Sequence, residues 1–221
     1  MQIPYEEFIK YPEIVIHLYE QGYFPMAHEE QVDWYSPEQR GVIRLDKFHV
    51  SRSLHKFMRN KQDFEIKTDR DFEGVMRACA QPSAGRTGTW INEALIRVFC
   101  KLHKMGFAHS VECWLGDELV GGLYGVAFER VFCGESMFSR KRDASKVALV
   151  HLIARLRSCG FLLLDAQFTT DHLSQFGACE IPRKEYRIKL AEALNIDAHF
   201  DPDATTEDTT ALLQRLRDPG C

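Results

Sequence analysis

The sequence predicts an α+β fold, a mixed sheet flanked by helices, and three stretches carry that prediction. Between Ser110 and Ser136, strand-forming runs are broken by turn residues at Gly116-Asp117 and Glu129-Arg130, the pattern of an antiparallel meander. Leu149, Leu152, Ile153 and Leu156 then recur at helical spacing, with Asp143 or Ser145 placed to cap the helix. Phe161-Leu-Leu-Leu-Asp-Ala-Gln167 follows Gly160 as a short, nearly all-apolar run, which suits a strand covered on both faces.

A chain of 221 residues is long enough for one large core, or a core with a smaller appendage. The expected division is a small N-terminal domain over 1–60, a main domain over 61–196 and an acidic tail over 197–221. A net charge of −4 excludes a globally basic nucleic-acid binder and leaves room for a local basic patch. The seven cysteines form no C-x-x-C pair and no Cys/His spacing of zinc type, so they read as small core residues of a reducing compartment, with Cys221 at an exposed tail. The first residues show neither a basic n-region nor an apolar h-region, and no run approaches a membrane span, so the expected location is cytoplasmic, without membrane contact.

In chain order, Pro12 to Gln21 predicts a short helix that stops at Gly22. Tyr23 to Met26 reads as an apolar loop, and the aromatics from Val32 to Pro37 are loop-like too, either packed under a lid or forming a wall for a flat ligand. Arg44 to Val50 reads as a strand. If Ser51 starts a helix, Arg52, Lys56 and Arg59 share one side, while Leu54, Phe57 and Met58 cover the other. That basic side is either a solvated face or a phosphate-contacting ridge.

Asp71 to Ala80 and Asn92 to Lys104 predict amphipathic helices, joined by the Gly/Ser/Pro-rich loop Gln81 to Trp90, which lacks the lysine of a Walker A element. Within the meander, Gly121, Gly122 and Gly125 leave the middle strand narrow, as for a bulge or a close ligand approach. Three successive cations, Arg140 to Arg142, precede a helix N-terminus. Further helices are expected over Asp171 to Phe176, Arg183 to Leu194 and Thr210 to Arg217.

The chemistry centres on three polar residues in apolar strands. Alternation along Val131 to Ser136 aims Glu135 from one face beside the bare backbone of Gly134. Asp165 and Gln167 share a face of the later strand, roughly 6.6 Å apart at about 3.3 Å per residue. Each of the three needs a partner, because an unsatisfied buried polar group costs about 1–3 kcal/mol; the partner is either an internal network or a substrate. Gly134-Glu-Ser-Met-Phe138 lacks the second glycine of a serine hydrolase elbow, and Asp171-His172 reads as a helix cap followed by a surface histidine.

Meander, basic turn, amphipathic helix and buried strand follow one another as in the acetyltransferase-like (acyl-CoA N-acyltransferase) fold, although Arg140 to Lys146 contains no glycine to cradle a coenzyme A pyrophosphate. The residues also resemble a family. Gly22-Tyr-Phe-Pro25, Trp34-Tyr-Ser-Pro37, Gly88-Thr-Trp90, His109-Ser-Val-Glu112, Phe132-Cys-Gly-Glu-Ser-Met-Phe-Ser-Arg140, Ala144-Ser-Lys146 and Gly177-Ala-Cys-Glu-Ile-Pro-Arg183 are similar to bacterial leucyl/phenylalanyl-tRNA-protein transferases. The likeness runs collinearly from Leu18 to Tyr186.

The resemblance implies transfer of Leu, Phe or Met from an aminoacyl-tRNA to a protein with an N-terminal Arg or Lys, by a monomer needing no cofactor or metal. It implies a catalytic pair in Asp165 and Gln167, with Asp165 taking the amine's proton directly or through Gln167 and water, and an acceptor-binding acid in Glu135. It implies an aminoacyl-adenosine pocket of Met26, Trp90, Leu123, Phe132 and Leu152, and a tRNA-contacting patch of Arg52, Lys56 and Arg59. Two features depart from the family: Met26 stands where it usually has Trp, and the region before Leu18 is shortened, without the usual Gly-rich stretch.

Overall fold

The computed structural model describes residues 5–28, 31–61, 63–82 and 88–203. The middle of the Gly/Ser/Pro-rich loop, the expected helix from Thr210 to Arg217 and Cys221 lie outside the described residues. Helices α1 (Tyr5–Lys10) and α2 (Glu13–Glu20) lead into a two-stranded hairpin, β1 (Phe24–His28) and β2 (Gln31–Tyr35). Then follow β3 (Gln39–Ile43), α3 (Arg52–Lys61), β4 (Glu65–Thr68), α4 (Phe72–Ala80) and α5 (Glu93–Lys104). The meander is β5 (Ala108–Leu115), β6 (Glu118–Phe128) and β7 (Val131–Ser139). After the meander come α6 (Ala144–Ser158), β8 (Leu163–Gln167), α7 (Asp171–Ser174), β9 (Ala178–Pro182) and α8 (Arg183–Ala193).

Seven strands form one sheet in the order β4-β5-β6-β7-β8-β3-β9, antiparallel everywhere except between β7 and β8. The mixed α+β expectation holds at this level. The sheet has a core on each face, because side chains alternate along its strands. Tyr124 and Val126 pack with α4 and α5 on one side, while Leu123 and Ala127 pack with α3 and α6 on the other. Among the described residues no helix is long and apolar enough to cross a membrane.

Several expectations change. Tyr23 to Met26 and Val32 to Pro37 are not loops: most of each belongs to the β1–β2 hairpin, where Val32 and Trp34 are buried and alternate with half-buried Asp33 and Tyr35. Pro25 is tolerated there because a two-stranded ribbon consists of edges. Arg44 to Val50 is not a strand. The strand is the preceding β3, and Leu45 to Lys47 form a 3-10 turn that buries Leu45 and Phe48 at the i, i+3 spacing of that geometry. β3 also lies inside the large sheet, between β8 and β9, although a boundary at residue 60 assigns it to the small N-terminal domain.

The glycines of β6 admit protein rather than a ligand. A Cβ on Gly121 would come within 2.4 Å of the Ala144 Cβ at the start of α6, and one on Gly125 within 2.4 Å of the Phe132 ring. A bulge sits at Tyr124 and Gly125, as the glycine pattern suggests. Neither Asp143 nor Ser145 caps α6 with its side chain; Ser139 Oγ accepts from the Ser145 backbone N–H at 3.2 Å instead.

Candidate functional site

The site arises where two parallel strands part. β7 and β8 pair at only three positions, ending at Cys133 and Asp165. Beyond them β7 stays with β6 as far as Ser139, while β8 pairs with β3 on its other side. A cavity of about 850 Å³ opens in the gap, lined by Gly134 to Ser139 of β7 and Arg140 after it, and by Leu164 to Gln167 of β8 and Phe168 after it.

β8 ends in a tight turn. Gln167 adopts a left-handed backbone (φ 56°), and the Phe168 N–H donates to the Ala166 carbonyl at 2.6 Å across it. A non-glycine residue in this region persists only when its surroundings hold it there. Two contacts do so. Asp165 Oδ1 accepts from the Gln167 backbone N–H at 2.9 Å. Gly41 of β3, opposite Gln167, leaves the room, since a Cβ there would lie 2.6 Å from the Phe168 carbonyl carbon. The turn aims the Gln167 side chain back across the gap, where Nε2 donates to Glu135 Oε1 at 2.9 Å.

Asp165 is 0% exposed and its negative charge is met by Arg40, itself 1% exposed. Arg40 Nε donates to Oδ1 at 2.8 Å and Nη2 to Oδ2 at 2.5 Å, a two-point pairing that matches the planar guanidinium. The Tyr186 hydroxyl of α8 donates to Oδ2 at 2.8 Å. The guanidinium also lies between the rings of Phe24 and Tyr186, 4.5 Å from each, and Nη1 donates to the Gly22 carbonyl. Burial opposes the charge on Arg40, but the Asp165 carboxylate more than offsets it, and the net shift of its pKa is upward. Hairpin, β3, β8 and α8 are joined at this one buried cation.

Glu135 lines the cavity without an ion-pair partner of its own among the described residues, unlike Asp165. The Tyr19 hydroxyl of α2 donates to Oε1 at 2.8 Å, beside the Gln167 amide. Burial pushes its pKa up to about 8, against the opposing effect of these hydrogen bonds. A raised carboxyl pKa stabilises the fold by holding a proton that the unfolded chain releases near 4.5. That contribution is full below about 4.5 and is lost as pH rises to about 8. The stability difference between the wild type and Glu135→Gln, read from urea unfolding, should therefore drift against the wild type across this window. A flat difference contradicts the shift.

Met26, Trp90, Leu123 and Leu152 all line the cavity, as do Asp165 and Gln167. Phe132 does not. It is fully buried behind the wall, filling the space over Gly125 with its ring 5.7 Å from that of Phe200. Arg52, Lys56 and Arg59 lie exposed on α3, away from the cavity lining, with Leu54 and Met58 buried beneath them. Thr170 rather than Asp171 caps α7. His172 is not a surface residue: it lines the cavity with an enclosed, unpaired Nε2, and burial, followed by nearby Lys146, lowers its pKa.

No local pattern in the sequence singles out Arg40, Tyr19 or Tyr186. Their one signal is indirect: a carboxylate inside an all-apolar strand requires a cation, and nothing nearby says which.

A parted α+β sheet holding a largely apolar cavity, lined by the two carboxyl groups of Glu135 and Asp165, is suited to binding a ligand. Comparison with known proteins gives the family. A family model described as leucyl/phenylalanyl-tRNA protein transferase matches residues 42–191, and the model of that family's N-terminal domain matches residues 12–38. The leucyl/phenylalanyl-tRNA–protein transferase of Paramagnetospirillum magneticum is 52% identical over 204 residues, covering 91% of this chain and 97% of its own length. That of Maricaulis maris is 54% identical over 200 residues, covering 88% and 92%. That of Phenylobacterium zucineum is 56% identical over 185 residues, covering 82% and 83%. The solved structure of L-PGS from Bacillus licheniformis covers 93% of this chain and 70% of its own at 13% identity, but a TM-score of 0.40 carries no argument about fold. The chain belongs to the leucyl/phenylalanyl-tRNA–protein transferase family, and is an aminoacyltransferase.

Proposed function

We propose that the protein transfers Leu or Phe, with Met as a further donor, from aminoacyl-tRNA to the α-amine of proteins beginning with Arg or Lys, creating an N-degron. The observation that carries this reading is the make-up of the cavity. Leu123, Leu149 and Leu152 offer an apolar wall to a donor side chain, while Glu135 offers a carboxyl group whose charged form a cationic acceptor favours. The donor ester is already activated, so the protein has only to place the two reactants and manage protons.

Parting of two parallel strands around a cavity supports an acetyltransferase-like reading of the sheet. Matches over residues 12–38 and 42–191 support a division between N-terminal and catalytic parts near residue 40. Met26 and Trp90 flank the aminoacyl-adenosine at one end of the cavity. Asp165, itself sealed, holds the turn that aims Gln167.

Incubating the protein with a panel of charged tRNAs and peptides beginning Arg, Lys, Asp, Glu or Ala, with products identified by mass, tests the reading. Leu or Phe added to the Arg and Lys peptides alone is the expected product; no extension of any peptide would leave a tRNA-binding module without transfer. A second reading keeps the reaction and changes its donor ranking. Met26 favours it, because a thioether offers no flat face to adenine.

Arg52, Lys56 and Arg59 are assigned to the tRNA acceptor stem. Changing all three to Gln should weaken tRNA binding and reduce the slope of log K against log salt by about 2, since each phosphate neutralised adds roughly 0.7–0.9 to that slope. Filter binding at several salt concentrations measures it. An unchanged slope removes the three from the interface.

A further inference from the structure

We infer that Glu135 takes the proton from the acceptor's α-ammonium through its Oε2, and that Asp165 is a positioning residue that never exchanges a proton with substrate. The inference rests on the transfer reaction proposed above, and names the group that performs its proton step.

The saturation of Asp165 comes first. Its two oxygens accept five hydrogen bonds: Arg40 Nε and the Gln167 N–H on Oδ1, and Arg40 Nη2, Tyr186 Oη and, more weakly, Cys133 Sγ at 3.7 Å on Oδ2. A carboxylate has about four acceptor sites, so none remains for an incoming N–H. Protonating it would also dissolve a buried pair and leave the Arg40 charge uncompensated. Gln167 has no oxygen basic enough to hold a proton, so a relay from substrate through its amide to Asp165 ends on an occupied acceptor.

Glu135 is arranged the opposite way. Tyr19 and Gln167 both donate to Oε1, and Oε2 makes no hydrogen bond to any described residue. The two donors fix the carboxylate plane and leave one oxygen for a ligand. Glu135 and Asp165 are the only carboxylates among the described residues that line the cavity. Burial raises the Glu135 pKa to about 8, and a cationic acceptor beside it favours the charged form that can take a proton.

The protons then balance. The α-ammonium gives one proton to Glu135, which later returns it to solvent. The freed nitrogen forms the C–N bond at the ester carbonyl, and the C–O bond to the ribose breaks. A second proton passes from nitrogen to the departing ribose oxygen, and the third stays on the new amide.

The test separates proton transfer from charge recognition. With an Arg-initiated peptide and Phe-tRNA at saturation, Glu135→Gln should lower kcat about 100-fold or more, the low end of general acid–base contributions. A kcat within tenfold of the wild type, with KM raised instead, overturns the inference, because Glu135 then only holds the acceptor. Thermal melts of each variant fix an assay temperature at which all of them, Asp165→Ala included, are folded. In Glu135→Ala, added acetate should restore turnover, and more so than the weaker base formate, while Asp165→Ala should not respond. Rescue of Asp165→Ala but not Glu135→Ala reverses the assignment, and loss of kcat in His172→Gln with Glu135→Gln active moves the proton to His172. If the wild-type protein extends no peptide, the transfer reaction has failed rather than the proton assignment.

Discussion

Asp165→Ala should lower the unfolding free energy by about 3–5 kcal/mol and the thermal midpoint by roughly 6–20 °C. The cause is Arg40. Both partners are buried, so removing the carboxylate leaves a guanidinium away from water with no counter-charge. The loss of activity in this variant will include a loss of folded protein. A double replacement, Arg40→Met with Asp165→Leu, should recover much of the stability, because an unbranched thioether fits between the Phe24 and Tyr186 rings. Urea unfolding of the single and double variants measures both values. A single variant within 1 kcal/mol of the wild type would show that the pair is not the anchor of the site.

Gly41→Ala should lower transfer by about 100-fold, through geometry rather than chemistry. The added methyl would lie 2.6 Å from the Phe168 carbonyl carbon and 2.8 Å from the Thr169 nitrogen, both backbone atoms that cannot rotate away. The turn must shift, and with it the Gln167 amide that holds Glu135. Overpacking of this kind costs about 1–3 kcal/mol, so the variant should remain folded at moderate temperature. Single-turnover kinetics below its melting point separate the two effects. Full activity would mean that Gln167 does not need its present position.

The meander, α6 and β8 are legible in the sequence because their signals are local. Leu149, Leu152, Ile153 and Leu156 report a helix face whatever lies opposite. Glu135, Asp165 and Gln167 are legible for a related reason: polar side chains in apolar strands advertise an unmet need. What meets that need is not local. Arg40 lies 125 positions before Asp165, and only the insertion of β3 between β8 and β9 brings the two together. Tyr19, on α2, lies 116 positions before Glu135. Alternation places Asp165 and Gln167 on one face, but cannot foresee that Gln167 leaves the strand with φ 56°, because the restraints come from Gly41 and the Asp165 carboxylate. Phe132 misleads differently, since an apolar residue next to a cavity-forming strand has two faces to choose from and this one faces the core.

The most direct measurement is a crystal structure with a non-hydrolysable, amide-linked phenylalanyl-adenosine. The aminoacyl group should lie between β7 and β8 with its side chain against Leu123 and Leu152. Its carbonyl carbon should sit within about 6 Å of Glu135 Oε2, leaving space for one amine nitrogen between them. An analogue seated elsewhere on the protein, or one whose carbonyl is walled off from Glu135, would contradict the account.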